Sequence, residues 1–229
     1  MELVIALDLE EKNEILKLAK ELKDIKNIWL KVGFRTFIRD GKELIYKLKE
    51  INSEFKIFLD LKLYDIPNTM MDATKEIINI GVDMFNIHAS SGIRAMEGVK
   101  EIANRSSKKP IILAVTALTS FDNSEFKRIY NQDIETKAIE FAKDAYKSGL
   151  DGVVCSVFES KKIKENTSKN FLTLTPGIRP SKDIKDDQKR VATIKEAKDN
   201  LVDFIVVGRP IYKSKNPLLE VKNILKELK

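Results

Sequence analysis

Three charged residues lie close together at positions 60–65, which read Asp-Leu-Lys-Leu-Tyr-Asp. They close an apolar run typical of a buried strand, so Asp60 and Lys62 are predicted to share a face, because alternate strand side chains do. Asp65 falls in the turn that Pro67 imposes on the chain. Acids on either side of a lysine favour its charged, protonated form. Lys62 is therefore a candidate proton donor.

The elements that position these residues alternate along the chain as strand-length apolar runs and helical segments. The predicted strands cover residues 3–7, 28–32, 57–61, 84–87, 111–115, 152–155, 171–174 and 204–207. The predicted helices cover residues 11–23, 42–51, 70–80, 95–103, 134–147, 159–165, 189–200 and 217–228. One helix is expected after each strand, which is typical of a parallel sheet covered by helices.

Eight such repeats in 229 residues predict an α/β fold, a (β/α)₈ TIM barrel forming one domain over residues 1–229. The main rival is an open doubly wound sheet, which typically carries a glycine-rich turn after its first strand. Here the first strand ends in Leu7-Asp8-Leu9-Glu10, without glycine. We therefore expect the closed barrel.

The active site of such a barrel lies at the C-terminal ends of its strands. Five charged residues are expected there: Asp8, Lys31, Asp60, Lys62 and Asp65. Two cations among three anions can keep one another ionised in a dry pocket, where an isolated charge is costly. A purely structural ladder of ion pairs is the alternative interpretation, since ion pairs also form without catalysis.

The last two predicted strands are each followed by a glycine and an arginine. The segments are Thr175-Pro-Gly-Ile-Arg179 and Val207-Gly208-Arg209-Pro210. Glycine allows close backbone approach and arginine offers a fork of donors, and barrels often bind phosphate at these two loops. The pattern predicts a phosphorylated ligand, although each pair alone also fits a helix start with a solvated arginine.

Two further loops could contribute to binding. The polar segment 180–189, which contains Gln188, is either a loop that closes over a ligand or an inert surface loop. Hydroxyls at Thr116, Thr119 and Ser120 follow the fifth strand, and they could reach a ligand or cap a helix.

Composition and motifs argue against several classes of function. The net charge of +6 comes from scattered lysines, which indicates solvated helix faces and not nucleic-acid binding. A single cysteine, no secretory signal and no membrane-length apolar run favour a cytoplasmic protein without a membrane partner. No cluster typical of a zinc site and no dinucleotide or P-loop signature is found. His88 and Cys155 are expected to be structural.

The stretch 58–69, Phe-Leu-Asp-Leu-Lys-Leu-Tyr-Asp-Ile-Pro-Asn-Thr, resembles the signature of the orotidine 5′-phosphate decarboxylase family. That signature is Asp-x-Lys-x-x-Asp followed by Ile-Pro-Asn-Thr. The resemblance extends over nearly the whole chain. Agreeing blocks are Ala6-Leu7-Asp8, Lys31-Val32-Gly33, residues 115–120, Thr175 to Arg179, and residues 207–211.

The resemblance implies an activity, the decarboxylation of orotidine 5′-phosphate to uridine 5′-phosphate in pyrimidine biosynthesis, without metal or organic cofactor. Lys62 would protonate C6 of the pyrimidine, with Asp60 beside the departing carboxylate. Asp8 and Lys31 would bind ribose hydroxyls and join the charged network. The implied catalytic group is Lys62, Asp60, Asp65 and Lys31.

The resemblance also implies a homodimer with shared active sites. Asp65 and Thr69 would reach into the partner's site. The implied phosphate ligands are Gly208, Arg209 and Gln188, with Arg179 on the closing loop and Thr119 near the base.

Two rival functions remain. Magnesium-dependent sugar-phosphate decarboxylases and aldolases of related barrels carry the same signature, but they have an acidic metal ligand near the end of strand two, where this chain has Lys31. A nucleotide-binding protein without turnover would be expected to lack Asp60, Lys62 or Asp65, and all three are present.

Overall fold

The eight predicted strands form one closed parallel barrel. The structure, a computed structural model of the chain, describes residues 1–179 and 191–229. Each strand lies within two residues of its expected ends and pairs with the next, and the eighth returns to the first. The strands are β1 (Glu2–Ala6), β2 (Ile28–Gly33), β3 (Lys56–Leu63), β4 (Met84–His88), β5 (Ile111–Val115), β6 (Gly152–Val154), β7 (Leu172–Thr175) and β8 (Phe204–Val207). The prediction of a (β/α)₈ barrel is confirmed.

Helices surround the barrel. They are α1 (Lys12–Glu21), α2 (Phe34–Ile51), α3 (Pro67–Ile80), α4 (Ile93–Arg105), α5 (Asn123–Tyr130), α6 (Ile134–Lys147), α7 (Val157–Asn166), α8 (Ile194–Asp199), α9 (Arg209–Tyr212) and α10 (Pro217–Leu228), with a 3₁₀ turn at Ala89–Ser91. Among the helices of residues 1–179 and 191–229, none is long and apolar enough to cross a membrane.

The expectation of one helix per strand is wrong at two places. β5 is followed by α5 and α6, and β8 is followed by α9 and α10. Helix α5 begins at a capping box, in which Asp122 accepts from the Glu125 N–H at 2.9 Å and Glu125 accepts from the Asp122 N–H at 3.1 Å. The helix has eight residues and buries only Phe126 among them. It is too short to show a clear helical period in the sequence, although the capping box was a local signal for it.

Two helices differ from their predicted bounds for local reasons. Helix α8 begins at Ile194 and not at residue 189, because Thr193 caps it by accepting from the Glu196 N–H at 3.2 Å. Residues 189 and 190 lie outside the described residues. Helix α2 extends back to Phe34, and its predicted span of 42–51 is the part that follows a break at Gly41, whose φ is 61°.

The core has two layers. Residues on one face of each strand pack against the helices, and those on the other face fill the barrel. The inner cluster consists of Val4, Ala6, Trp29, Phe58, Met84, Leu113, Val115, Val154, Leu174, Phe204 and Val206. Because strand side chains alternate, the next inward position along β1, β2 and β3 is at or near the C-terminal end. Those positions are Asp8, Lys31 and Asp60.

The N-terminal end of the barrel is held by three equivalent ion pairs, here named the base clamps. Each has an aspartate just before an even-numbered strand, which accepts a backbone N–H from the preceding strand and pairs with a helix lysine. Asp83 accepts from the Ile57 N–H at 2.7 Å and pairs with Lys49 at 3.0 Å. Asp151 accepts from the Ile112 N–H at 2.8 Å and pairs with Lys100 at 2.7 Å. Asp203 accepts from the Thr173 N–H at 2.8 Å and pairs with Lys164 at 2.8 Å. The clamps therefore join β3 to β4, β5 to β6 and β7 to β8.

We expect Asp203→Ala to lower the free energy of unfolding by about 2 kcal/mol, because it leaves the buried Lys164 ammonium and the Thr173 N–H without this acceptor. Urea unfolding measures the change. The matched control is Asp72→Ala, whose pair with Lys75 is exposed and should contribute little. Equal losses for the two variants would contradict the role given to the clamp.

Candidate active site

Four of the five charged residues picked out in the sequence meet at the C-terminal end of the barrel. Lys31 Nζ lies 3.1 Å from Asp8 Oδ1 and 3.4 Å from Asp60 Oδ2. Lys62 Nζ lies 2.6 Å from Asp60 Oδ1. The charges therefore alternate in one chain, Asp8, Lys31, Asp60 and Lys62.

Asp60 is the centre of this charge chain. Its burial acts to raise its pKa, but Lys31, Lys62 and the hydrogen bonds from Lys62 and Asn86 together lower the pKa to about 2. Burial acts to lower the pKa of Lys31, and the charges of Asp60 and Asp8 overcome it, so that the pKa is raised. Both groups are therefore held in their charged forms in a site where either one alone would be costly.

The contact between Asp60 and Lys62 depends on an irregularity that simple strand alternation did not predict. Residues 58 and 59 of β3 pair regularly with β4. The register then changes between Leu59 and Leu63, and Leu63 pairs with Ile87. Lys62 itself has a φ of 53°, in the left-handed region that side chains disfavour. The backbone at the end of β3 is thus bulged where it presents the lysine.

Gly33 makes room for the first pair of the charge chain. A methyl group at this position would lie 2.8 Å from Asp8 Oδ1 and 3.0 Å from Lys31 Nζ. Any larger residue therefore requires the Asp8 carboxylate or the Lys31 ammonium to shift. Glycine is favoured at position 33 for its small size and not for its backbone freedom, because the Gly33 dihedrals are ordinary extended ones.

The charge chain opens into a cavity of about 510 Å³. Its opposite wall comes from the loops after β5, β7 and β8, which contribute Thr119, Arg179, Gly208 and Arg209. The Arg179 side chain is buried, and its Nη1 donates to the Ile178 carbonyl at 2.9 Å. The structure therefore brings the two predicted constellations, the charges of β1 to β3 and the Gly-Arg segments, to a single cavity.

Two predicted site residues of the described segments, Asp65 and Thr69, do not line this cavity. Asp65 is exposed, and its Oδ1 accepts from the Ile66 N–H at 2.7 Å, outside the charge chain. Thr69 is exposed in the first turn of α3. Gln188 lies outside the described residues. The five-charge network expected from the sequence is thus a four-charge chain within one subunit, because the turn at Pro67 carries Asp65 outward.

The structure adds two residues that the sequence did not single out. Asn86, on the inner face of β4, donates to Asp60 Oδ1 at 2.7 Å. Arg35, at the start of α2, lines the cavity and donates to the Asp8 carbonyl at 3.0 Å. Neither belongs to a local motif. For Asn86 the only signal was its inward position, two residues before His88 on the same strand.

Two further reactive side chains, His88 and Cys155, lie outside the charge chain. His88 is partly buried beside Tyr64, with ring centroids 5.7 Å apart, and burial followed by the charge of Lys62 lowers its pKa. Cys155 is buried just after β6. Within the two described segments of the chain, no three His, Cys, Asp or Glu side chains gather in an arrangement that could hold a metal ion.

The chain is similar to known proteins over its full length. It matches the family described as "Orotidine 5′-phosphate decarboxylase / HUMPS family" over residues 1–224. Proteins named orotidine 5′-phosphate decarboxylase from Sulfurimonas denitrificans and Campylobacter jejuni are 58% and 59% identical over 228 residues, covering all of each chain. The crystal structure of orotidine 5′-phosphate decarboxylase from Lactobacillus acidophilus has a TM-score of 0.86 at 35% identity, covering 99% of this chain and 98% of that one.

Proposed function

The chain belongs to the orotidine 5′-phosphate decarboxylase / HUMPS family, and we propose that it converts orotidine 5′-phosphate to uridine 5′-phosphate and carbon dioxide in pyrimidine biosynthesis. The observation that carries the proposal is the charge chain at the mouth of the barrel, which ends in the Lys62 ammonium. Both family and geometry support the same substrate: an anionic ring with a phosphate at its far end.

In the proposed reaction the bond between C6 and the carboxylate breaks, and its electron pair stays on C6. Lys62 then donates a proton from Nζ to C6, and the neutral amine regains a proton from solvent. No ring atom offers an obvious electron sink, so the developing carbanion is stabilised by charges already fixed in place. Asp60 faces the departing carboxylate, and its repulsion is relieved as neutral carbon dioxide leaves.

The two lysines have different roles in this proposal. The Lys62 side chain is 35% exposed and reaches the cavity, whereas that of Lys31 is 9% exposed and bonds to two carboxylates. Lys62 is therefore the cation available to a ligand. Lys31 fixes Asp8 and Asp60, and with Asp8 it binds the ribose hydroxyls.

The loops after β7 and β8 are proposed to bind the phosphate. Gly208 and Arg209 line the cavity, together with Arg179, and Gln188 is assigned to the same group from its sequence position alone. Thr119, on the loop after β5, is assigned to the base. Phosphate contacts far from C6 supply binding free energy that orients the ring against Lys62.

The reaction is proposed to need no metal or organic cofactor. Lys31 Nζ lies between the Asp8 and Asp60 carboxylates, so a magnesium ion on these oxygens would have to displace a fixed ammonium. The magnesium-dependent decarboxylases and aldolases with the same signature are the second candidate. Activity that survives a chelator distinguishes the two.

The active unit is proposed to be a homodimer. Asp65 and Thr69 are exposed, and Asp65 lies between Tyr64 and Ile66, two large apolar side chains that are also exposed. We propose that these residues are buried against a second copy, with Asp65 and Thr69 at the partner's cavity. A cytoplasmic location and the absence of a nucleic-acid partner stay predictions from composition.

We expect Lys62→Ala to lower kcat by about 10³-fold or more while uridine 5′-phosphate still binds, because the variant loses the proton donor but keeps the phosphate contacts. The assay follows the ultraviolet absorbance of orotidine 5′-phosphate with chelator-treated protein. Lys75→Ala, on the exposed face of α3, is the control and should retain full activity. Near-normal turnover by Lys62→Ala would rule out Lys62 as the donor.

We expect a mixture of Lys62→Ala and Asp65→Ala chains to recover part of the activity that each variant lacks alone. A mixed dimer has one site with both native residues, if Asp65 acts across the interface. Subunits are exchanged in mild denaturant, and sedimentation checks that each variant still pairs. A mixture of paired chains that stays inactive would place Asp65 in its own subunit's site.

A further inference from the structure

Asn86 connects the backbone of Lys62 to the carboxylate that binds the Lys62 ammonium. The residue is 1% exposed, at the middle of β4. Its Oδ1 accepts from the Lys62 backbone N–H at 2.8 Å, and its Nδ2 donates to Asp60 Oδ1 at 2.7 Å. One side chain therefore contacts both the backbone of Lys62 and the carboxylate that pairs with its ammonium.

These two bonds replace the ladder bonds that β3 loses at its bulge. Leu59 pairs with Phe85 and Leu63 pairs with Ile87, so that Asn86 alone lies opposite residues 60–62. Lys62 is in left-handed backbone there, which a non-glycine residue adopts only when its surroundings hold it. The Asn86 amide supplies a partner for the Lys62 N–H in this conformation.

The amide satisfies both partners because it offers an acceptor and a donor. The Lys62 N–H is a donor and requires an acceptor, while the ionised Asp60 carboxylate is an acceptor and requires a donor. The two contacts fix the orientation of the amide and leave it no alternative. An aliphatic residue of the same size would leave both groups buried without this partner.

We propose that Asn86 is a positioning residue for proton transfer. It holds the Lys62 backbone directly and the Lys62 ammonium through Asp60, so that Nζ lies at a fixed place above the cavity. The inference rests on the proposed function, in which Lys62 delivers a proton to C6. Asn86 also lines the cavity, but in this account it acts on the proton transfer through its two neighbours.

The variant Asn86→Asp gives the sharpest test, because its effect depends on pH. Two carboxyl groups then face each other at close range and cannot both ionise freely, so they share a proton at low pH. A protonated Asp at position 86 donates to Asp60 and accepts from the Lys62 N–H, as the amide does. When that proton is lost as pH rises, the donor to Asp60 is lost too.

We therefore expect kcat of Asn86→Asp to be close to wild type at low pH and to fall as pH rises through the apparent pKa of the carboxyl pair. Charged and titratable groups near the new carboxyl are Asp60 and Lys62 on β3, Lys31 on β2, Asp8 after β1, and His88 on β4. Their effects are common to the wild type, so the comparison is the difference between the two kcat profiles. The kcat of the wild type should not show this fall as pH rises.

A matched control exists elsewhere in the chain. Asn123 donates to Asp133 Oδ1 at 2.9 Å and accepts from the Ile134 N–H at 2.9 Å, the same double contact at the start of α5, outside the cavity. Asn123→Asp should leave the pH profile of kcat unchanged. Asn86→Ala should lower kcat by about 10²-fold with little change in KM, because a small displacement of the donor affects the chemical step.

The proposal would be overturned if kcat of Asn86→Asp depended on pH as in the wild type, or if kcat of Asn123→Asp showed the same fall as pH rises. Hydrogen exchange at the Lys62 amide tests it separately from catalysis. That amide should be protected in the wild type and exchange faster in Asn86→Ala, which removes the acceptor of the Lys62 N–H. If the wild-type chain releases no carbon dioxide, the proposed function fails, and unchanged Lys62 protection in Asn86→Ala would overturn the positioning role as well.

Discussion

The arrangement of this active site depends on one buried carboxylate held between two ammonium groups. Asp60 accepts from Lys62 and Asn86 through one oxygen and faces Lys31 through the other. Burial alone would favour a neutral Asp60, which would no longer balance the charge of either lysine. The site is therefore cooperative, since each charge in it is tolerated only because its neighbours are present.

The barrel separates the groups that stabilise it from the groups that react. The base clamps lie where the even-numbered strands begin, and the charge chain lies where the strands end. Between them the inner cluster of apolar side chains fills the barrel. A site that buries several charges and holds Lys62 in disfavoured backbone reduces stability locally, and packing and ion pairs at the other end of the barrel offset that cost.

Sequence reasoning captured what depends on local pattern. Strand positions follow from apolar runs, and the inward placement of Asp8, Lys31 and Asp60 follows from alternation once the barrel is assumed. It did not reveal Asn86, because the role of that residue comes from a contact with another strand. The left-handed backbone at Lys62 was equally hidden, since a bulge depends on the register between β3 and β4. Asp65 and Thr69 are exposed in the single chain. Their proposed role depends on contacts with a second chain, which the local sequence pattern does not encode.

The most direct test of the central claim is a carboxyl ¹³C NMR titration of Asp60 in the folded protein. We predict that its pKa is about 2, below the ordinary value of 3.8, so that Asp60 stays ionised from neutral pH down to strongly acidic conditions. Because the folded pKa is depressed, the stability that Asp60 contributes is present above the ordinary value and is lost as pH falls toward 2. A titration at or above 3.8 would show that burial outweighs the two ammonium groups, and it would contradict this account of the site.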